Sequence, residues 1–120
     1  MNIFNIYKPA HYCNDEVETI DKIEKYLTSA EILGAAKFNI IKYVDRAKFK
    51  NGLEDLYKAM WYVDYVLPRL IRDDACFNFP TENVKYSNLK YRIFDYLKLN
   101  NFVTVKNILQ YMIDNYDSLL

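Results

Sequence analysis

Between Ser29 and Leu67 the apolar residues return every third or fourth position, and a single Asn51-Gly52 pair interrupts them. Leu33, Ala36, Ile40, Ile41, Val44 and Ala47 precede the pair; Leu56, Met60, Val63 and Leu67 follow it. Residues at that spacing share one face of a helix. Asn-Gly is a turn pair that ends a helix. It also fits a hairpin between strands, but the flanks lack an alternation of period two. The spacing therefore predicts two helices folded back on each other, antiparallel, over residues 30–70. Each has an apolar stripe that needs a core.

The rest of the chain reads the same way. Lys8-Pro9-Ala10-His11-Tyr12 is an extended lead, because the residue before a proline avoids the helical region. Asn14 caps a first helix, with Asp15 and Glu16 favourable in its first turn and Val17, Ile20, Ile23 and Leu27 as its stripe. Ser29 caps the second helix, and Pro68 kinks or ends the third. Residues 73–86 read as a loop. Ser87 opens a fourth helix with Leu89, Ile93, Phe94 and Leu97; Asn100-Asn101 breaks it. A fifth covers about Thr104 to Ser118, with Val105, Ile108, Leu109, Met112 and Ile113 inward. Two glycines and three prolines leave few breakers over 120 residues. The expectation is all-α: a small compact bundle of about five helices. One domain spans 1–120, with a helical core at 9–67 and a C-terminal helical extension at 87–120.

Composition narrows the functional classes. Apolar residues at 52% and charged residues at 27% describe a globular chain. A formal net charge of zero argues against a nucleic-acid polycation. The charge is uneven, however. Lys37, Lys42, Arg46, Lys48 and Lys50 face one acid, Asp45, within 14 positions. That run suits phosphate, and it also suits a solvated helix face. Glycine only at positions 34 and 52 excludes both the P-loop and the dinucleotide-binding fingerprint. The lone His11 cannot build a histidine-rich metal site or serve a serine nucleophile with nothing nearby to support it. Cys13 and Cys76 have neither metal nor redox spacing; two free thiols are expected, or one disulfide. Neither a signal peptide nor a membrane span is expected, and the protein is placed in the cytoplasm.

The chemistry-bearing constellation lies on the predicted helix pair. Lys42, Tyr43 and Arg46 share one helical spacing; Asp55, Lys58 and Tyr62 share another across the turn. Two polar faces so placed meet where an apolar seam would cost less. The cations favour an anionic ligand. Glu54, Asp55 and Asp64 offer hard oxygen ligands for Mg²⁺, although their spacing matches no helical metal motif and no metal residues are assigned. The competing reading is a structural network in which Asp55 pairs with Arg46 or Lys42. Tyr57, Trp61 and Tyr65 read as core or interface rings.

Three motif runs carry a resemblance. They are Pro9-x-His11-Tyr12, then Val17-Glu18-x-Ile20-Asp21-x-Ile23-Glu24, then Asn39-x-x-Lys42-Tyr43-x-x-Arg46-x-x-x-Lys50-x-Gly52-x-x-Asp55-Leu56-x-Lys58-Ala59-x-Trp61-Tyr62-x-Asp64. Over about Pro9 to Leu67 the chain resembles the SaV-like family of small bacteriophage proteins, long catalogued as a domain of unknown function. It departs from that pattern at Phe38, where the family commonly has glycine. The residues after Pro80 carry no resemblance.

The resemblance implies deoxynucleoside monophosphate kinase activity, or alternatively a role in sensitivity to a host defence system, in an infected bacterial cell. On the kinase reading Lys42, Arg46 and Lys58 neutralise phosphate oxygens, and Asp55 binds Mg²⁺ or orients Lys58. His11 and Tyr12 hold a base or sugar, with Asn39, Tyr43, Lys50 and Tyr62 completing the ligand site. The cofactor would be Mg²⁺ with a nucleotide. On the alternative reading the chain is a non-catalytic phage protein that binds a host or phage protein through its tyrosines. A homo-oligomer is expected on either reading, because the rings beside the Met60 stripe exceed what one small core can cover.

Overall fold

The computed structural model describes residues 18–120. His11, Tyr12, the cap expected at Asn14 and the start of the first stripe lie outside the described residues. Among the described residues there are six helices and no strand. They are α1 (Glu18–Tyr26), α2 (Ser29–Arg46), α3 (Leu53–Val66), α4 (Tyr86–Lys98), α5 (Phe102–Asp114) and the short α6 (Tyr116–Leu119). Single 3₁₀ turns, Ala47–Phe49 and Leu67–Arg69, follow α2 and α3.

The start of α2 is set by Thr28, not by Ser29. Glu31 lies three positions after Thr28. The Thr28 Oγ1 accepts from the Glu31 N–H at 3.1 Å, and the Glu31 carboxylate accepts from the Thr28 N–H at 2.8 Å. This reciprocal box satisfies two donors that a helix start leaves open. Ile32, Leu33, Ala36, Ile40 and Val44 then face inward. Ile41 does not; it is exposed, since it stands about 100° round the helix from Ile40.

The turn into α3 closes with the Gly52 N–H donating to the Ala47 carbonyl at 2.8 Å. Gly52 has φ +56°, a conformation that side chains with a Cβ rarely take. From there α3 runs back along α2. Arg46 meets Asp55, and Tyr43 meets Tyr62, so a step toward the start of α2 is a step toward the end of α3. The pair is antiparallel, as its stripes predict.

The C-terminal half completes one core rather than forming a second. α5 packs on both α3 and α4, and α4 also reaches α2. Leu56, Val63, Ile93, Val105, Ile108, Leu109 and Met112 have no exposed surface. Full burial of such a side chain stabilises by about 1.5–3 kcal/mol relative to exposure. Two polar ties hold α4 against α2: Tyr86 donates its hydroxyl to the Val44 carbonyl, and Lys90 pairs with Asp45 at 3.1 Å. The helix expected over Thr104–Ser118 begins at Phe102 and is broken at Asn115, after which α6 covers the turn before α3.

Segment 70–85 has no regular structure but is fastened to the α4–α5 corner. Asn101, the α5 cap, accepts from the Thr104 N–H and donates to the Ala75 carbonyl at 2.9 Å. The Phe77 N–H donates to the Thr104 Oγ1 at 3.0 Å, and Phe77 stacks on Tyr96. Cys76 is an exposed free thiol. No helix among the described residues is long and apolar enough to cross a membrane.

Candidate functional site

Tyr43 lies beside buried Val44 in α2, so its ring emerges at the seam with α3. Lys42 and Arg46, at minus one and plus three, flank it from the same helix. Lys58 reaches it from α3. The Lys42 Nζ, the Arg46 guanidinium carbon and the Lys58 Nζ lie 4.5, 5.0 and 5.6 Å from the ring centroid. The three cations that the spacing singled out therefore gather around one aromatic ring. The negative face of a ring attracts each by about 0.5–1 kcal/mol at an exposed site. Their mutual repulsion opposes this.

Carboxylates answer two of the three. Asp55 is fully buried, and accepts from the Arg46 Nε and Nη2 at 3.1 and 3.3 Å. Burial pushes the Asp55 carboxyl up, but the Arg46 hydrogen bond and charge, with help from Asn51, outweigh it and hold the group below its ordinary value. The hydrogen bond to Asp55 raises the Arg46 guanidinium in return. Asp55 thus orients Arg46, and it does not orient Lys58. Lys58 instead pairs with Glu54, one helical turn before it, at 3.3 Å and in solvent. Such an exposed pair contributes little. Lys42 has no carboxylate partner among the described residues. The cluster keeps an excess of positive charge at its solvent side.

The three acids that offer oxygen ligands for Mg²⁺ do not gather. Asp55 faces Arg46, Glu54 faces Lys58, and Asp64 accepts from Lys106 at 2.7 Å. Among the described residues no three His, Cys, Asp or Glu side chains come together as a metal site. These residues do not fit a protein-held Mg²⁺.

The aromatic side of the site is larger than the sequence indicated. Tyr62 stacks near Tyr43, with centroids 6.3 Å apart. Trp61 meets Tyr62 edge-on at 5.0 Å and lies parallel to Tyr65 at 5.7 Å. Tyr43, Lys58, Trp61 and Tyr62 line a cavity of 310 Å³. Trp61 and Tyr62 also contribute walls to an apolar groove of 390 Å³ between α1, α2 and α3. Asn39 lines that groove; its side-chain N–H donates to the Ala35 carbonyl at 2.9 Å. Lys50 is exposed at the turn, away from any described partner. The spacing alone makes Trp61 a core or interface ring and not a site residue. Its position three after Lys58 was the available signal. A larger cavity of 620 Å³, along α4 from Pro80 to Asp95, has no comparable gathering of cations on a ring.

Behind the ion pair lies a second layer. Tyr86 and Tyr116 meet edge-on at 6.2 Å. Burial raises both hydroxyls above their ordinary value, and the Asp55 charge adds to the shift. Tyr86 of α4 and Tyr116 of α6 therefore both lie within reach of the Asp55 charge.

Residues 6–64 match the family model of a protein of unknown function, DUF3310. The match spans just under half of the chain, supports an uncharacterised domain family, and contains Asn39, Lys42, Tyr43, Arg46, Lys50, Asp55, Lys58, Trp61 and Tyr62. Comparison with curated proteins and with solved structures finds no match.

Proposed function

We propose that this chain binds a nucleotide by its phosphate at the Tyr43 cluster. The observation that carries this reading is the convergence of Lys42, Arg46 and Lys58 on one ring, with Lys42 lacking a described carboxylate. Asp55 holds the Arg46 fork, and a planar guanidinium suits two-point contact with a phosphate. Lysines at two further points act as mobile point charges. If the bound group is transferred, these cations oppose the charge that spreads over the phosphoryl oxygens. The chain would then be a nucleoside monophosphate kinase without a P-loop, in the phage setting that the motif resemblance implies.

A thermal-shift series over nucleoside mono- and triphosphates, with and without Mg²⁺, tests binding directly. A ligand at a hundred times its Kd stabilises by about 2.7 kcal/mol. Lys42→Ala should remove the shift while leaving unliganded stability within about 0.5 kcal/mol, as for surface positions without structural partners. Absence of any shift with wild-type protein would sink the reading.

A second reading has its own observation. Leu53, Tyr57 and Trp61, four residues apart on α3, are all exposed. Such a ridge suits a protein partner, either a second copy of the chain or a host or phage protein. Sedimentation of wild type and Tyr57→Lys distinguishes self-association. A monomer at high concentration in both removes the homo-oligomer.

A further inference from the structure

We infer that the apolar groove between α1, α2 and α3 is the subsite for the base of the bound nucleotide, with Trp61 as its stacking surface and Asn39 as the group that reads the base edge. This rests on the phosphate-site reading above and adds a location and a selectivity element to it.

Three observations support the assignment. First, the groove and the cavity beside Tyr43 and Lys58 are neighbours, since Trp61 and Tyr62 line both. A ligand with its charged end near Lys42 and Lys58 has its uncharged end at these two rings. Second, the groove has the right size and lining. At 390 Å³ it lies in the range of small-molecule sites, and Ile20, Ile23, Leu27 and Ile32 make its walls apolar. Trp61 is half exposed and parallel to Tyr65 within 7°, so a flat heterocycle can extend an existing stack. Third, Asn39 places one side-chain amide in this apolar lining. Its bond to the Ala35 carbonyl uses one N–H, and its oxygen accepts no hydrogen bond in the described structure. An amide acceptor prefers a base that offers an exocyclic amine or ring N–H. A site with a fixed polar group discriminates by leaving that group unpaired in the wrong complex.

Trp61 is the sole tryptophan of the chain, so its fluorescence reports on the proposed stack. Wild-type protein is titrated with inorganic phosphate, ribose 5-phosphate and each common nucleoside monophosphate. Stacking on an aromatic side chain is worth about 1–3 kcal/mol per base, so a monophosphate should bind roughly tenfold or more tightly than ribose 5-phosphate and quench Trp61. Ala35→Phe narrows the groove from an exposed position. It should abolish the advantage conferred by the base while leaving the affinity for ribose 5-phosphate unchanged. Asn39→Ala, at a partly exposed position, should narrow the spread of affinities among the bases.

Equal affinity for ribose 5-phosphate and all nucleoside monophosphates would overturn the base subsite and leave the phosphate site standing. An undiminished base advantage in both Ala35→Phe and Asn39→Ala, with thermal unfolding confirming that each variant is folded, would overturn it as well. Failure of every probe to bind would overturn both readings.

Discussion

Arg46 grips the Asp55 carboxylate through two nitrogens, at 3.1 and 3.3 Å, across the turn that joins α2 to α3. The carboxylate has no exposed surface, whereas the guanidinium reaches solvent. The pair is a fastener on its inner side and a charge on its outer side, and these two roles separate under mutation. Arg46→Ala leaves a buried carboxylate without its principal partner, and removing one member of a buried pair destabilises strongly. Asp55 is held below the ordinary value of 3.8, so its contribution is fully present above that value and is lost as pH falls through the lower folded value. The stability gap between wild type and Arg46→Ala should therefore be large at neutral pH and shrink in acid. Urea unfolding at several pH values measures it. A gap independent of pH would show that the pair contributes no charge-dependent stability.

Gly52 offers a backbone test of the same turn. Its φ of +56° and ψ of −128° form a sparsely populated backbone conformation that costs a residue with a Cβ on the order of 1–3 kcal/mol, and an added Cβ would lie 3.4 Å from the Tyr116 hydroxyl. Gly52→Ala should lose about that much stability in urea unfolding. Gly52→Asn should lose as much, because asparagine's tolerance is for the left-handed helical region, where ψ is positive, and Gly52 has ψ −128°. Equal stability of Gly52→Ala and wild type would mean that the turn adapts.

The helix pair was legible because two apolar stripes and a turn dipeptide agree. Errors arose where a local detail decides. Thr28 rather than Ser29 caps α2 because only Thr28 has a glutamate three positions on. Ile41 lies at the rim of the stripe that contains Ile40 and Val44, and the structure leaves it exposed. Asn115 ends α5 although the apolar period continues toward Leu119. At the site, spacing put Lys42 and Arg46 on one helix and Lys58 on its neighbour, all three of which lie near the Tyr43 ring, and it left Arg46 as one of two partners for Asp55. It missed the preference of Lys58 for Glu54, a contact along its own helix. Trp61 as a wall of two cavities, and the fastening of segment 70–85 to Asn101, depend on tertiary packing. Neither leaves a periodic trace in the sequence.

That fastening gives a further prediction. The Asn101 side chain accepts from the Thr104 N–H and donates to the Ala75 carbonyl, so Asn101→Ala removes a helix cap and a loop tie together. Loss of a cap costs typically ~1 kcal/mol and up to about 2. Asn101→Asp keeps the acceptor and loses the donor, so it should recover the cap alone. Hydrogen exchange at the Phe77 N–H, which donates to Thr104, should accelerate in both variants. Unchanged exchange there would place the hold on the segment in the Phe77–Tyr96 and Phe79–Tyr111 ring contacts instead.

The tyrosines predict a distinct alkaline limb. Burial first, and then the Glu24 charge, push the Tyr65 hydroxyl from 10.0 up to about 12. Burial raises Tyr86 and Tyr116 in the same direction. In each case the folded state holds its proton more tightly than the unfolded chain. Above the unfolded value of 10.0 the unfolded state binds fewer protons, so stability falls as pH rises. The loss continues until the folded value is reached. Tyr65→Phe and Tyr86→Phe should each flatten this limb, because phenylalanine does not titrate. Tyr86→Phe should also weaken the protein at neutral pH, since the hydroxyl that donates to the Val44 carbonyl is gone. Thermal unfolding between neutral pH and pH values above 10.0 measures both effects. An alkaline limb unchanged in both variants would assign the loss to other groups, and would mean that the two hydroxyls titrate alike in the folded and unfolded chain.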